Sequence, residues 1–228
     1  MSPFQPETWP FSIAALPDEA YLVGGSVRDQ LMHRKTASLD IDFVLPLQAI
    51  EPAAGIAEAH GAGFVVLDEA RHIARVVFEN VTVDFAQQQG ESIEADLRRR
   101  DFTVNAIAYH PHHKKIIDPL SGAADITAKT LRMVSYHILA TDPLRLMRAY
   151  RQAAQLGFSV EGTTHHAIKE LAPTLPNISM ERIRSELDGI LSVEKSAAQL
   201  TAILDNQLLS FCLPHFDADS ITQVEAIE

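Results

Sequence analysis

The feature that most constrains this chain is a glycine pair placed between a short apolar run and a helix-forming stretch. The apolar run at residues 21–23 predicts a buried strand. Gly24 and Gly25 end it where no side chain blocks an approaching group. Ser26 is expected to cap the helix that follows. Free N–H groups at a helix start suit a phosphate, and Arg28 adds a cationic fork, so the stretch predicts a phosphate-binding turn.

Further along the chain, acidic and apolar residues alternate over residues 39–44. A period of two is typical of a strand, so Asp40 and Asp42 are expected on one face and Ile41 and Phe43 on the other. Two carboxylates on one face suit a hard divalent cation such as Mg²⁺. The alternative is a half-exposed edge strand with solvated acids, but the preceding glycine turn favours a metal site.

The turn G-G-S-V-R-D followed by D-I-D resembles the head domain of class II tRNA nucleotidyltransferases and bacterial poly(A) polymerases. That family lies within the DNA polymerase beta-like nucleotidyltransferase superfamily. The resemblance implies a two-metal site in which Asp40 and Asp42 bind Mg²⁺ and act in catalysis. It also implies that Gly24, Gly25 and Arg28 hold the triphosphate of the incoming nucleotide.

Three more strands are expected after the D-I-D strand, the last two joined as a hairpin; they cover residues 64–67, 73–78 and 81–85. An Ala-rich helix over residues 47–60 is expected to be interrupted by Pro52. In the superfamily a third catalytic carboxylate comes from a strand beside the D-x-D strand, so the resemblance makes Asp84 the candidate. A strand-end acid in solvent is the open alternative for Asp84.

A basic run over residues 98–106, R-R-R-D-F-T-V-N-A, is the second functional candidate. Runs of arginine are often solvated helix ends. However, arginine suits phosphate oxygens, and Asp and Asn side chains can bond sugar hydroxyls. The run resembles the family's second motif, which implies triphosphate and ribose contacts for Arg100, Asp101 and Asn105.

The segment before this motif is short, with fourteen residues between Phe85 and Arg100. In family members that add the whole CCA end, a longer flexible loop lies here. The resemblance therefore favours an enzyme that adds two cytidines from CTP to the tRNA 3′ end. Complete CCA addition, which also uses ATP, is the nearest alternative, followed by A addition and poly(A) synthesis. A non-catalytic tRNA- or nucleotide-binding module is the alternative of another class, and the intact D-x-D argues against it.

A helical pattern begins at Asp142, which is expected to cap it, with Pro143 at the first helical position and Gly157 at the end. Arginines recur on this helix at every third residue: Arg145, Arg148 and Arg151. From the residues alone, the aspartate could be only a cap and the arginines only a solvated face.

The same helix resembles the family's E-D-x-x-R protein template. The resemblance implies that Asp142 and Arg145 bond the incoming base and that Arg148 and Arg151 bind nucleotide. The glutamate that usually precedes the aspartate is replaced here by Thr141. In the family that glutamate orients the base-reading pair, so the replacement is expected to affect the stringency of nucleotide choice.

The resemblance covers residues 20–190 and implies an α/β fold. We expect a small, palm-like mixed-sheet head over residues 1–134, an all-helical neck over 135–190 and the start of a helical body over 191–228. A further motif, E-R-I-R-S-E-L, is expected to brace the template helix. Because family members are longer than this chain, we expect either a fragment or a reduced grip on tRNA.

Composition limits the remaining possibilities. The single cysteine, Cys212, excludes an intrachain disulfide and favours a reducing compartment, so a cytoplasmic enzyme is expected. The N-terminus lacks the basic region of a signal peptide, and no apolar run reaches the length of a membrane span. The net charge is −11, yet residues 95–151 carry a net charge of +5, which is compatible with a local phosphate-binding surface.

Overall fold

The computed structural model describes residues 4–34 and 39–225. The chain divides into two compact units, Met1–Ile126 and Thr127–Glu228. The first unit is built on a mixed sheet and the second on helices, which confirms the predicted α/β class. The division into head, neck and body at residues 134 and 190 stays a prediction.

The first unit contains a seven-stranded sheet in the order β3-β4-β5-β2-β1-β6-β7. Its strands are β1 (Tyr21–Val23), β2 (Leu39–Leu45), β3 (Gly63–Asp68), β4 (Ile73–Val77), β5 (Val81–Gln87), β6 (Ala108–His110) and β7 (Lys115–Ile117). Strand β2 runs parallel to β5 and antiparallel to β1, so the sheet is mixed. The predicted hairpin of β4 and β5 is confirmed.

The described residues of this part of the chain form the helices α1 (Gly25–Leu31), α2 (Ile50–His60), α3 (Ile93–Leu97) and α4 (Gly122–Thr127). The expected interruption at Pro52 is wrong, because α2 begins only two residues earlier. In the first turn of a helix the missing N–H of proline has no intrahelical acceptor to lose.

The face of β2 opposite the two aspartates forms the core of this unit. Ile41 and Phe43 are buried there, and Phe43 stacks on Phe85 of β5 at a ring distance of 5.5 Å. Trp9 and Phe11 close this core, with rings 5.2 and 6.2 Å from Phe43. Each such burial contributes about 1.5–3 kcal/mol. The N-terminal residues therefore fix the hydrophobic face of the strand that carries the acids.

The second unit contains a two-stranded parallel ladder, β8 (Thr130–Leu131) and β9 (Ser159–Val160). Its helices are α5 (Tyr136–Thr141), α6 (Leu144–Leu156), α7 (Gly162–Leu171), α8 (Met180–Leu191), α9 (Ala197–Asp205) and α10 (Ala218–Glu225). Helix α6 is central, since Leu146, Met147 and Tyr150 are all buried. The Tyr150 hydroxyl accepts a hydrogen bond from Asn206 at 2.6 Å. Within residues 4–34 and 39–225, no helix is both long and apolar enough to cross a membrane.

Candidate active site

Asp40 and Asp42 lie on one face of β2, as the alternating pattern predicts. In the parallel register with β5, Asp40 stands opposite Thr82 and Asp42 opposite Asp84. The Thr82 hydroxyl donates to Asp40 Oδ1 at 2.8 Å. Asp40 is exposed, whereas Asp42 is half-buried. Pairing of β2 with β5 therefore concentrates three carboxylates on neighbouring strands.

The surroundings of Asp42 disfavour its charged form. Burial, followed by the nearby Asp84 carboxylate, raises the pKa of Asp42 to about 6, although Arg100 acts in the opposite direction. A bound cation would stabilise the ionised form of such a carboxylate. Among the described residues, no group of three or more His, Cys, Asp or Glu side chains is placed to hold a metal. Two carboxylates fit Mg²⁺, which usually binds one or two of them together with substrate phosphates and water.

Asp84 is held by an arginine that the sequence pattern did not single out. Arg75 on β4 donates from Nε to Asp84 Oδ1 at 2.7 Å and from Nη2 to Oδ2 at 2.8 Å. This bidentate fork occupies both oxygens of the carboxylate. The role of Asp84 as a third catalytic carboxylate stays a prediction, and it requires Arg75 to share or release one oxygen.

Gly24 lies directly against this acidic site. Its φ of +76° and ψ of −143° are rarely adopted by residues with a side chain. A Cβ at this position would lie 3.2 Å from Asp42 Oδ2 and 3.5 Å from Arg100 Nη1. The expected cap by Ser26 is wrong: the helix begins at Gly25, and the Ser26 hydroxyl instead donates to the Val23 carbonyl at 3.2 Å.

We expect Gly24→Ala to destabilise the fold by about 1 kcal/mol, because the methyl group is strained at this φ, and to reduce at least about tenfold the nucleotide addition that the family resemblance implies. Activity and thermal unfolding should be measured together. Gly55→Ala in α2 is the matched control, since a Cβ there meets no atom within 4 Å. That variant should retain activity and gain stability. Equal behaviour of the two variants would contradict a special role for Gly24.

A chain of hydrogen bonds joins the two sequence motifs of this unit. Arg28 Nη1 donates to Asn105 Oδ1 at 2.8 Å, and Asn105 Nδ2 donates to Asp101 Oδ1 at 2.9 Å. Asp101 Oδ1 also accepts from the Phe102 backbone N–H at 2.8 Å. Asp101 and Asn105 are both buried. The structure thus gives them a bracing function beside Arg28, while their predicted contacts with ribose stay predictions.

Arg100 is oriented by a second residue that sequence reasoning missed, Asp96 of α3. Arg100 donates from Nη2 at 3.0 Å and from Nε at 3.3 Å to Asp96 Oδ2. The other oxygen, Oδ1, accepts from the Gln89 backbone N–H at 2.9 Å. Asp96 is only 7% exposed. Its i,i+4 spacing to Arg100 was the available signal in the sequence.

In the helical unit, Asp142 and Arg145 lie at the start of α6. Asp142 Oδ1 accepts from the Leu144 backbone N–H at 3.3 Å, so the helix begins one residue later than expected. Asp142 Oδ2 lies 3.5 Å from Arg182 Nη2. Arg145 Nη1 donates to the Ile138 carbonyl and lies 3.3 Å from the Thr141 hydroxyl. A neutral hydroxyl thus contacts Arg145 at the position where the family usually has a carboxylate.

Arg148 and Arg151 converge on one buried carboxylate, Glu186 of α8. Arg148 Nε lies 3.6 Å from Glu186 Oε1, and Arg151 Nε donates to Oε2. Arg151 Nη1 also donates to Gln155 Oε1 at 2.8 Å. This contact confirms that the E-R-I-R-S-E-L segment braces α6. Nucleotide binding by Arg148 and Arg151 stays a prediction.

We expect Glu186→Ala to destabilise the protein by about 1–3 kcal/mol, because it leaves two arginines without their shared, buried carboxylate. This expected loss of stability is smaller than for a fully buried ion pair, since both arginines are partly exposed. Chemical denaturation measures the change. Asp188→Ala is the control on the same helix: its pair with Arg184 is exposed, and its loss should cost less than about 0.5 kcal/mol. Similar losses in both variants would contradict the bracing role.

Known proteins share both sequence and fold with this chain. Residues 20–132 match the Poly A polymerase head domain, and residues 157–220 match a probable RNA and SrmB-binding site of polymerase A. A CC-adding tRNA nucleotidyltransferase of Synechocystis sp. is 49% identical over 96% of this chain and 53% of its own length. A second one, of Geobacter sulfurreducens, is 43% identical over 76% of this chain and 40% of its own length.

Solved structures agree with this similarity. A CCA-adding enzyme in complex with CTP superimposes with a TM-score of 0.79 at 27% identity, covering 90% of this chain and 51% of that one. The matched head domain and the shared fold therefore identify the first unit as a nucleotidyltransferase head. The chain belongs to the family of tRNA nucleotidyltransferases and poly(A) polymerases, whose members generally use divalent metals. It spans about half the length of the curated relatives it matches.

Proposed function

We propose that this chain carries the catalytic part of a template-independent RNA nucleotidyltransferase that adds cytidines from CTP to the 3′ end of tRNA. The observation that carries the proposal is that Asp42 and Arg100 both approach Gly24, with Asp40 on the same strand face as Asp42. A module that only binds RNA or nucleotide does not need two neighbouring carboxylates that repel each other. The names of the relatives from Synechocystis and Geobacter support CC addition. A cytoplasmic location forms part of the proposal.

In this proposal, Asp40 and Asp42 would hold Mg²⁺ in a two-metal site. The bound ions would activate the tRNA 3′-hydroxyl and neutralise the charge that develops on the leaving pyrophosphate. Gly24 admits the triphosphate close to the carboxylates because it has no side chain there. Arg28 and Arg100 contribute positive charge for phosphate oxygens, and Asp96 and Asn105 restrict their conformations. Catalysis then arises mainly from positioning and charge neutralisation.

Base selection is assigned to the helical unit. Asp142 and Arg145 are the proposed base-reading pair, because a carboxylate and a guanidinium together offer acceptors and donors for a base edge. The contact of Arg145 with the Ile138 carbonyl restricts its orientation. Thr141 supplies only a neutral contact, so we expect discrimination between CTP and ATP to be less stringent than in a variant with glutamate at this position.

Extension of a tRNA that ends at its discriminator base tests the proposal at single-nucleotide resolution. The full chain is supplied with Mg²⁺ and with CTP alone, ATP alone or both. CC addition predicts two additions with CTP and no further addition with both nucleotides. A third nucleotide that needs both CTP and ATP would identify complete CCA addition and contradict the short-loop argument. Tight tRNA binding without Mg²⁺-dependent incorporation would favour the binding module.

A further inference from the structure

Two carboxylates in the first unit could each pair with Arg100. Asp96 already binds its Nε and Nη2, while Arg100 Nη1 lies beside Gly24, as Asp42 does. A Cβ atom added to Gly24 would lie 3.5 Å from Arg100 Nη1 and 3.2 Å from Asp42 Oδ2. The two atoms are therefore less than about 7 Å apart, yet Arg100 is not paired with Asp42.

The environment favours an Arg100–Asp42 pair if Asp96 does not compete for the arginine. Asp42 stands opposite Asp84 in the register of β2 with β5, so a cation beside it would offset the repulsion between the two carboxylates. Arginine has a long, flexible stem, and rotation of its side-chain torsions could close the gap. In such a pair, the guanidinium would occupy the carboxylate that the proposed function assigns to a divalent cation. An Arg100–Asp42 ion pair would then compete directly with metal binding.

Asp96 is well placed to prevent this competition. Its side chain is buried, and its Oδ1 is anchored by the Gln89 N–H just beyond the end of β5. Its Oδ2 accepts two bonds from one edge of the guanidinium, which fixes the plane of that group. Anchoring at both oxygens means that Asp96 cannot easily follow Arg100 if the arginine moves.

We propose that Asp96 is a positioning residue that holds Arg100 away from Asp42 and so keeps Asp42 open to a divalent cation. The inference deepens the proposed function and rests on it. Asp96 does not contact the metal in this arrangement, and it acts through Arg100. A purely structural role for Asp96 would affect folding but would not depend on the presence of the arginine.

Direct titration with Mn²⁺, followed by electron paramagnetic resonance of the free ion, tests the inference without any need for activity. The full chain is compared with Asp96→Asn, Arg100→Gln and the double variant. Asparagine keeps the size of the side chain and an acceptor for Gln89, but it removes the charge that attracts Arg100. Glu94→Gln is the matched control, because Glu94 is an exposed acid on the same helix.

We expect Asp96→Asn to weaken Mn²⁺ binding about five- to tenfold and the double variant to return to the affinity of Arg100→Gln. Glu94→Gln should bind as the unchanged chain does. Unaltered affinity in Asp96→Asn, or a double variant as weak as Asp96→Asn, would overturn the inference while leaving the proposed function intact. Failure of the unchanged chain to bind Mn²⁺ would overturn the metal site itself, and with it this inference. Thermal unfolding of each variant separates loss of affinity from loss of fold.

Discussion

Replacing Asp40 and Asp42 together with alanine is expected to abolish the proposed Mg²⁺-dependent nucleotide addition without unfolding the chain. Removal of a single group that stabilises a transition state typically costs about 10²–10³ in rate, so loss of both proposed metal ligands should exceed 10³-fold, an order-of-magnitude expectation. The fold should survive, because both residues lie on the polar face of β2 and the core is formed by Ile41 and Phe43 on the other face. Extension of tRNA with CTP and circular dichroism measure the two effects.

The control for this double variant is Glu51→Ala together with Glu58→Ala. These acids are exposed on α2, and their removal causes the same change in net charge within the same unit. Activity should then remain within about twofold, since exposed charges distant from the reacting atoms have small effects. Retained addition in the Asp40 and Asp42 double variant, with an intact fold, would exclude these residues as the metal ligands.

The local elements of the mixed-sheet unit were predictable because their signals lie within short stretches of sequence. The alternation of acidic and apolar residues predicts that Asp40 and Asp42 share one face. Residues 79–80, between two apolar runs, predict the turn of the hairpin. The cap of α1 was not predictable in the same way. Ser26 is a good capping residue in general, but its hydroxyl is used by the Val23 carbonyl.

Contacts between distant segments could not be derived from the sequence pattern. Arg28 and Asn105 lie 77 residues apart, and only the order of strands in the sheet brings them together. Arg75 looked like an ordinary polar residue of a half-exposed strand, because its partner Asp84 depends on the register of β4 with β5. The resemblance to a known family identified residues that could react, whereas the structure identified the side chains that hold them.

The position of Asp42 beside Asp84 leads to a second prediction, which concerns the stability of the folded chain. The pKa of Asp42 is raised in the folded chain from 3.8 to about 6, first by burial and then by Asp84. Between these two values the folded state holds a proton that the unfolded state has already released. The free energy of unfolding therefore falls as the pH rises from about 4 to about 6, because the Asp42 carboxyl loses its proton in the folded chain. It stays low above that range. A shift of this size corresponds to about 1–3 kcal/mol, and partial solvent access places the expected value toward the lower limit.

Asp42→Asn should therefore stabilise the metal-free protein by about 1–2 kcal/mol at pH 7.5, because the amide carries no charge to be buried. The gain should shrink as the pH falls toward 4, where the native carboxyl is protonated. Urea denaturation in the presence of a chelator, repeated across this pH range, measures it. Mg²⁺ should stabilise the unchanged chain above pH 6 but have little effect on Asp42→Asn. Glu58→Gln, an exposed acid on α2, should show neither effect. A lower stability of Asp42→Asn at pH 7.5 would mean that Asp42 contributes to the fold itself, whereas the expected gain would mean that the chain tolerates an unfavourable charge at the proposed metal site.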